Sequence, residues 1–203
     1  MSGGPRLPPV PPERWDEDIE AALRAGFGGL PPGPVPNVIG TLVHHPRLAG
    51  AFLAYNSVLL FDPTLDRRAR ELMILRVAWR TRANYEWLQH VRLAQRYGVT
   101  DEEIVAVGTG PTADVWGPLE ADLLAATDQL IDGYSIDDAT WARLAGHLDE
   151  RQLVEAVFVV GTYTCLAMAF NSFGLELDPE LQAMSPPAVP PPAVPPPVVP
   201  PLG

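Results

Sequence analysis

A chain of 203 residues that is 47% hydrophobic is long enough to bury one sizeable core, so a single domain is expected. Its net charge of −11 and pI near 4.7 argue against nucleic acid or an anionic membrane surface as the main partner. All 14 basic residues are arginine. Schiff-base lysine chemistry, the usual pyridoxal-phosphate attachment and the lysine-bearing phosphate loop are thereby excluded.

No run approaches ~18 uninterrupted apolar residues, so no membrane span is expected. The opening MSGGPRLPPVPPERW lacks the apolar stretch of a secretory leader. The single Cys165 has no partner for an internal disulfide, and a cytoplasmic protein is expected. Prolines cluster at both ends and between residues 31 and 36. Because proline lacks the N–H for a helix or ladder, PPAVPPPAVPPPVVPP can only be polyproline II or disordered. Residues 1–12 therefore read as a flexible proline-rich lead-in, 13–180 as one all-α domain, and 181–203 as a disordered proline-rich tail. Formal PxxP spacings in the tail are compatible with a groove-binding ligand.

Between these ends the periodicity is helical. Residues 13–25 place Trp15, Ile19, Ala22 and Leu23 on one face after an acidic start. Asn37 can cap a short segment through Val43, and Pro46 suits the first turn of a helix carrying Leu48, Phe52, Tyr55 and Leu59. The run LDRRARELMILRVAWR is polar first and apolar later, as expected of a helix entering a core. Asn84 can cap the next helix, which Gly98 ends, and Thr100 and Glu103 have capping-box spacing. Residues 118–131 and 136–147 give two further amphipathic helices. Residues 149–174 are apolar nearly all round after the first turn, which predicts a central helix or a subunit interface. About seven to eight helices are expected.

Glu86 and His90, in YEWLQH, fall one turn apart on one helix face. Such a pair can be a surface ion pair contributing about 0.2–0.5 kcal/mol. Alternatively, with Leu93 and Tyr97 on the same side, it is a half-buried acid–base pair. A di-iron bundle needs Glu-x-x-His on two helices and two further glutamates, and zinc needs a second histidine at helical spacing; neither is present, so no metal is expected. Cys165, between Thr164 and Leu166, reads as a small buried hydrophobe. Glu71, Arg76 and Arg80 lie in or beside the apolar run and must find counter-charges or a ligand anion.

The stretch RELMILRVAWRTRANYEWLQHVRLAQRYGVTDEEI, with PNVIGTLVHHPRLAGAFLAYNSVLL before it and, more weakly, GTYTCLAMAFNSFGLELD after it, resembles the carboxymuconolactone decarboxylase family. That family includes the alkyl-hydroperoxidase D-like (AhpD-like) proteins. The resemblance implies an AhpD-like all-α fold assembled as trimers or hexamers. The family's peroxidase branch implies a glutamate, a C-x-x-C pair and a histidine. Matched here, the glutamate falls on Glu71, the histidine on His90, and the two thiol positions on Ala83 and Glu86. With both sulfurs absent, a peroxidase is not expected.

The decarboxylase-type branch implies work without metal or organic cofactor. His90 then suits proton transfer. Glu86 orients the imidazole or serves as the acid itself, and Glu71 completes the relay. Arg76 or Arg80 would clamp a substrate anion. Tyr85 and Trp87 are either pocket walls or packing residues. The expected function is a cofactor-independent decarboxylase- or isomerase-type enzyme acting on a small unsaturated carboxylate, lactone or carbonyl metabolite. A non-catalytic oligomeric binding or assembly protein with a structural Glu86–His90 pair is the alternative.

Overall fold

The structure, a computed structural model, describes residues 4–29 and 33–189. Over these residues it is all-α. A 3-10 turn at Pro12–Arg14 precedes α1 (Glu17–Phe27), α2 (Asn37–Leu42), α3 (Pro46–Phe61), α4 (Arg67–Thr81) and α5 (Asn84–Arg96). There follow α6 (Asp101–Thr109), α7 (Pro118–Gly133), α8 (Asp138–Ala145), α9 (Glu150–Phe173) and α10 (Pro179–Gln182). Eight of these ten have the length of an ordinary helix; α2 and α10 are single short turns.

Most helices begin where a short polar side chain can accept an orphan backbone N–H. Asp16, Asp66, Asp137 and Asp149 each take the N–H three residues on, and Thr100 and Glu103 complete a capping box. His45 does the same for α3, its Nδ1 accepting from Leu48, with Pro46 in the first turn. Asn37 and Asn84 are not caps: each is the first residue inside its helix, after Pro36 and Ala83. Asp178, far along the chain, replaces the expected cap of α2. Its Oδ1 accepts the Asn37 N–H at 2.7 Å, while the Asn37 side chain donates to the Glu176 carbonyl at 3.1 Å.

Helix α4 lies at the centre and packs against α5, α6, α7 and α9. Every residue from Ala69 to Ala78 on it is buried. A second, smaller cluster of Ile19, Leu23, Ile39, Val43, Ala49 and Leu53 joins α1 to α2 and α3. There α1 and α3 come close through glycines: a Cβ on Gly26 would lie 2.6 Å from the Leu53 Cβ, so nothing larger fits without movement.

The domain reaches beyond residue 180. Leu181 is fully buried, Met184 and Ala188 pack on the main core, and Trp87 Nε1 donates to the Ala188 carbonyl at 2.8 Å. At the other end, the backbone N–H groups of Arg6 and Leu7 donate to the Phe173 carbonyl, and Val10 N–H to that of Gly40. The remaining lead-in and tail, residues 1–3 and 190–203, lie outside the described residues.

Helix α9 is long and apolar enough to cross a membrane by length and composition, and half of it is buried inside the protein against α3, α4, α7 and α8. Its other face is exposed, which the all-round apolar pattern did not reveal. Val154, Phe158, Gly161, Cys165 and Met168 point outward, so Cys165 is not the buried hydrophobe expected.

Candidate active site

Helix α5 turns Glu86, Gln89, His90 and Leu93 toward one side, the 3.6-residue period that the YEWLQH spacing requires. That side faces a cavity of about 190 Å³ whose other walls are α2, α3 and α9, with Phe27 of α1 at its edge. Aliphatic and aromatic side chains dominate the lining, among them Ile39, Phe52, Leu60, Leu166 and Phe170.

Glu71 reaches His90 from the buried face of α4: its Oε2 lies 2.6 Å from His90 Nδ1. The other carboxylate oxygen accepts from Arg70 Nη2 at 2.6 Å and Nε at 3.2 Å. Arg70 Nη1 donates to the carbonyls of Leu59 and Leu60, so this fully buried guanidinium is satisfied. Burial pushes the Glu71 carboxyl up, but the charge and hydrogen bond of His90, together with Arg70, hold it below its ordinary value. The Glu71 carboxylate accepts the Nδ1–H of His90, which leaves Nε2 as the ring nitrogen outside that pair, an assignment that follows from the pairing. Nε2 takes no hydrogen bond from a described residue. The ring stands edge-on to Tyr163, with centroids 4.8 Å apart.

Glu86 contrasts with Glu71. It is 2% exposed, and neither carboxyl oxygen has a hydrogen-bond partner among the described residues. Burial alone pushes its carboxyl well above the ordinary glutamate value, which favours the protonated form with one O–H to donate. The two glutamates are thus split by their surroundings, one held toward the carboxylate beside an arginine and an imidazole, the other pushed toward the acid. Burial also pushes the Tyr163 hydroxyl up, and the charge of Glu71 adds to it. Tyr85 lines the cavity with its ring and donates its hydroxyl to Asp178 Oδ2 at 2.6 Å; its own ionisation is pushed up, by burial first.

Arg76, Arg80 and Trp87 do not meet the cavity. Arg76 forms a two-point pair with Asp128 at 2.7 and 2.8 Å and donates to the Val107 and Gly108 carbonyls. Arg80 binds Asp128 and Asp132. These arginines point to α6 and α7, so the anion clamp expected from them is replaced by a structural network. Trp87 is fully buried against Trp79 on the core side. Arg70, Asn56 and Tyr163 were absent from the sequence reading. Arg70 adjoins Glu71 in sequence, and neighbouring helix positions are not expected to face each other. Asn56 and Tyr163 come from helices whose convergence no local pattern encodes. Among the described residues, no group of three His, Cys, Asp or Glu side chains is placed to hold a metal ion.

Residues 46–129, from the first turn of α3 into α7, match the model of the Carboxymuconolactone decarboxylase family. The matched span is similar to that family over less than half of the chain. It contains Asn56, Arg70, Glu71, Glu86 and His90; the walls from α2 and α9 lie outside it.

Solved structures agree on the fold. An uncharacterized peroxidase-related protein from Ralstonia eutropha JMP134, described as an alkylhydroperoxidase AhpD core, superposes with a TM-score of 0.71 at 20% identity, over 89% of this chain and 98% of that one. A variant of the debrominase Bmp8 in complex with 2,3,4-tribromopyrrole gives 0.70 at 17%, over 87% and 94%. A peroxidase-related protein from Silicibacter sp. TM1040 gives 0.67 at 16%, over 88% and 92%. A search of curated proteins gives no match. Cys165 lies on the outer face of α9 and does not line the Glu86–His90 cavity.

Proposed function

We propose that the chain is an acid–base enzyme, needing no cofactor, that moves a proton on carbon in a small unsaturated carbonyl or lactone metabolite. The observation that carries this reading is the pairing on one cavity wall of a buried, unpartnered Glu86 carboxyl with an open His90 Nε2. Nε2 takes the proton from the carbon next to the carbonyl, and Glu71 stabilises the imidazolium that forms. The Glu86 O–H meets the carbonyl oxygen as it gains negative charge, in surroundings that water does not screen. The imidazolium then returns its proton to another carbon of the conjugated system, and the double bond has migrated. Isomerisation fits this cavity better than decarboxylation, because no cation lines it to hold a carboxylate. The presence of a debrominase among the fold neighbours supports a catalytic role for the architecture.

The reading extends to self-association through the exposed stripe on α9, the trimers or hexamers that the family resemblance implies. The test of catalysis is a screen of conjugated ketones and lactones for proton exchange in D₂O, followed by mass. His90→Gln should lower exchange by about 10²–10⁴-fold, the usual worth of a positioned base. Equal exchange by wild type and variant would rule the assignment out.

A further inference from the structure

Asn56, on α3, is 7% exposed, lines the same cavity as Glu86, and has no hydrogen bond to any described residue. Its Oδ1 is wholly buried and unpartnered, as are both Glu86 oxygens. Buried polar groups are nearly always paired, and leaving one unpaired costs about 1–3 kcal/mol. Two such side chains on one cavity mark places where a ligand completes the bonding. Their chemistry differs: the neutral carboxyl offers a donor, and the amide oxygen requires one.

Size and charge narrow the occupant further. A dry cavity of about 150 Å³ holds benzene, so about 190 Å³ accommodates one ring with small substituents. No arginine lines the space, and the nearest buried one, Arg70, is consumed by Glu71 and two carbonyls. An anion entering would lose its hydration and meet no arginine among the described residues. The small unsaturated carboxylate expected from the sequence does not suit these walls.

We propose that the cavity selects a neutral single-ring molecule carrying both an acceptor, for Glu86, and an O–H or N–H donor, for Asn56 Oδ1, and that Asn56 determines this specificity. The assignment rests on the acid–base reading for the role of Glu86 but is tested by binding alone.

Calorimetric titration of the full chain at about pH 6.5 compares four probes: 3-hydroxyacetophenone, 4-hydroxyacetophenone, acetophenone without a donor, and the anion 3-hydroxybenzoate. At least one hydroxyacetophenone should bind about tenfold or more tightly than both acetophenone and 3-hydroxybenzoate, the worth of one buried hydrogen bond. In Asn56→Leu the preference over acetophenone should disappear while acetophenone affinity is kept. The wild-type comparison stands by itself if the variant fails to fold. Four results each overturn the proposal: 3-hydroxybenzoate binding as well as the neutral phenols, acetophenone binding equally well, no probe binding at millimolar concentration, or a preference over acetophenone that survives in Asn56→Leu. The exchange assay on His90→Gln is independent, so either reading can fail while the other holds.

Discussion

Helices α4 and α9 pack against each other and invert the usual relation between polarity and burial. α4 carries RRARE in its first turns, yet its ten residues from Ala69 to Ala78 are all hidden, including Arg70, Glu71 and Arg76. α9 is apolar over a length that could cross a membrane, yet Val154, Phe158 and Met168 are 58%, 52% and 63% exposed. Composition measures what burying a side chain would gain or cost, whereas the partners present decide what is buried. On α4 every buried charge has a matched partner, so ionic groups enter the core at tolerable cost. On α9 one apolar face has no neighbour among the described residues.

The comparison can be broken most forcefully at Glu71. Glu71→Ala leaves Arg70 buried without its carboxylate and should cost about 3–5 kcal/mol in chemical denaturation. A loss below 1 kcal/mol would mean that the charges on α4 do not hold one another in place. Arg76→Met should cost less, about 2 kcal/mol, because Arg80 still binds Asp128. Exchange activity per folded molecule should be unchanged, since Arg76 lies away from the cavity; a large loss of activity at full stability would restore it to the site. Phe158→Glu on α9 should have the smallest effect on the fold, leaving helical circular dichroism intact. Light scattering should instead show a lower mass than wild type at micromolar concentration. A wild type that is already monomeric would remove the stripe's role in assembly.

The helix boundaries were legible because caps and periods are local: Pro46, the Thr100–Glu103 box and Gly98 all act where the spacing placed them. The capping of α2 was not legible, since Asp178 supplies it from the far end of the chain. The Glu86–His90 juxtaposition could be read from a four-residue spacing, and Glu71 came from the family resemblance. The contents of the cavity could not be read so directly. Asn56 and Tyr163 arrive by packing, and the free arginines imagined for the site are bound to Asp128 and Asp132, which look like ordinary surface carboxylates in the sequence. Cys165 was misjudged for a related reason: an apolar helix does not announce which of its faces lacks a neighbour.

The protonation of Glu86 is the point on which the account depends most. A carboxyl raised by burial stays protonated in the folded protein at pH values where the unfolded chain ionises. Wild-type stability should therefore fall as pH rises above the ordinary glutamate value, and Glu86→Gln should remove that component of the slope. The direct measurement is the infrared difference spectrum between wild type and Glu86→Gln at neutral pH. A protonated carboxylic C=O band present in wild type and missing from the variant is the predicted result. A carboxylate band in its place, titrating as an ordinary glutamate does, would contradict the assignment of Glu86 as the acid.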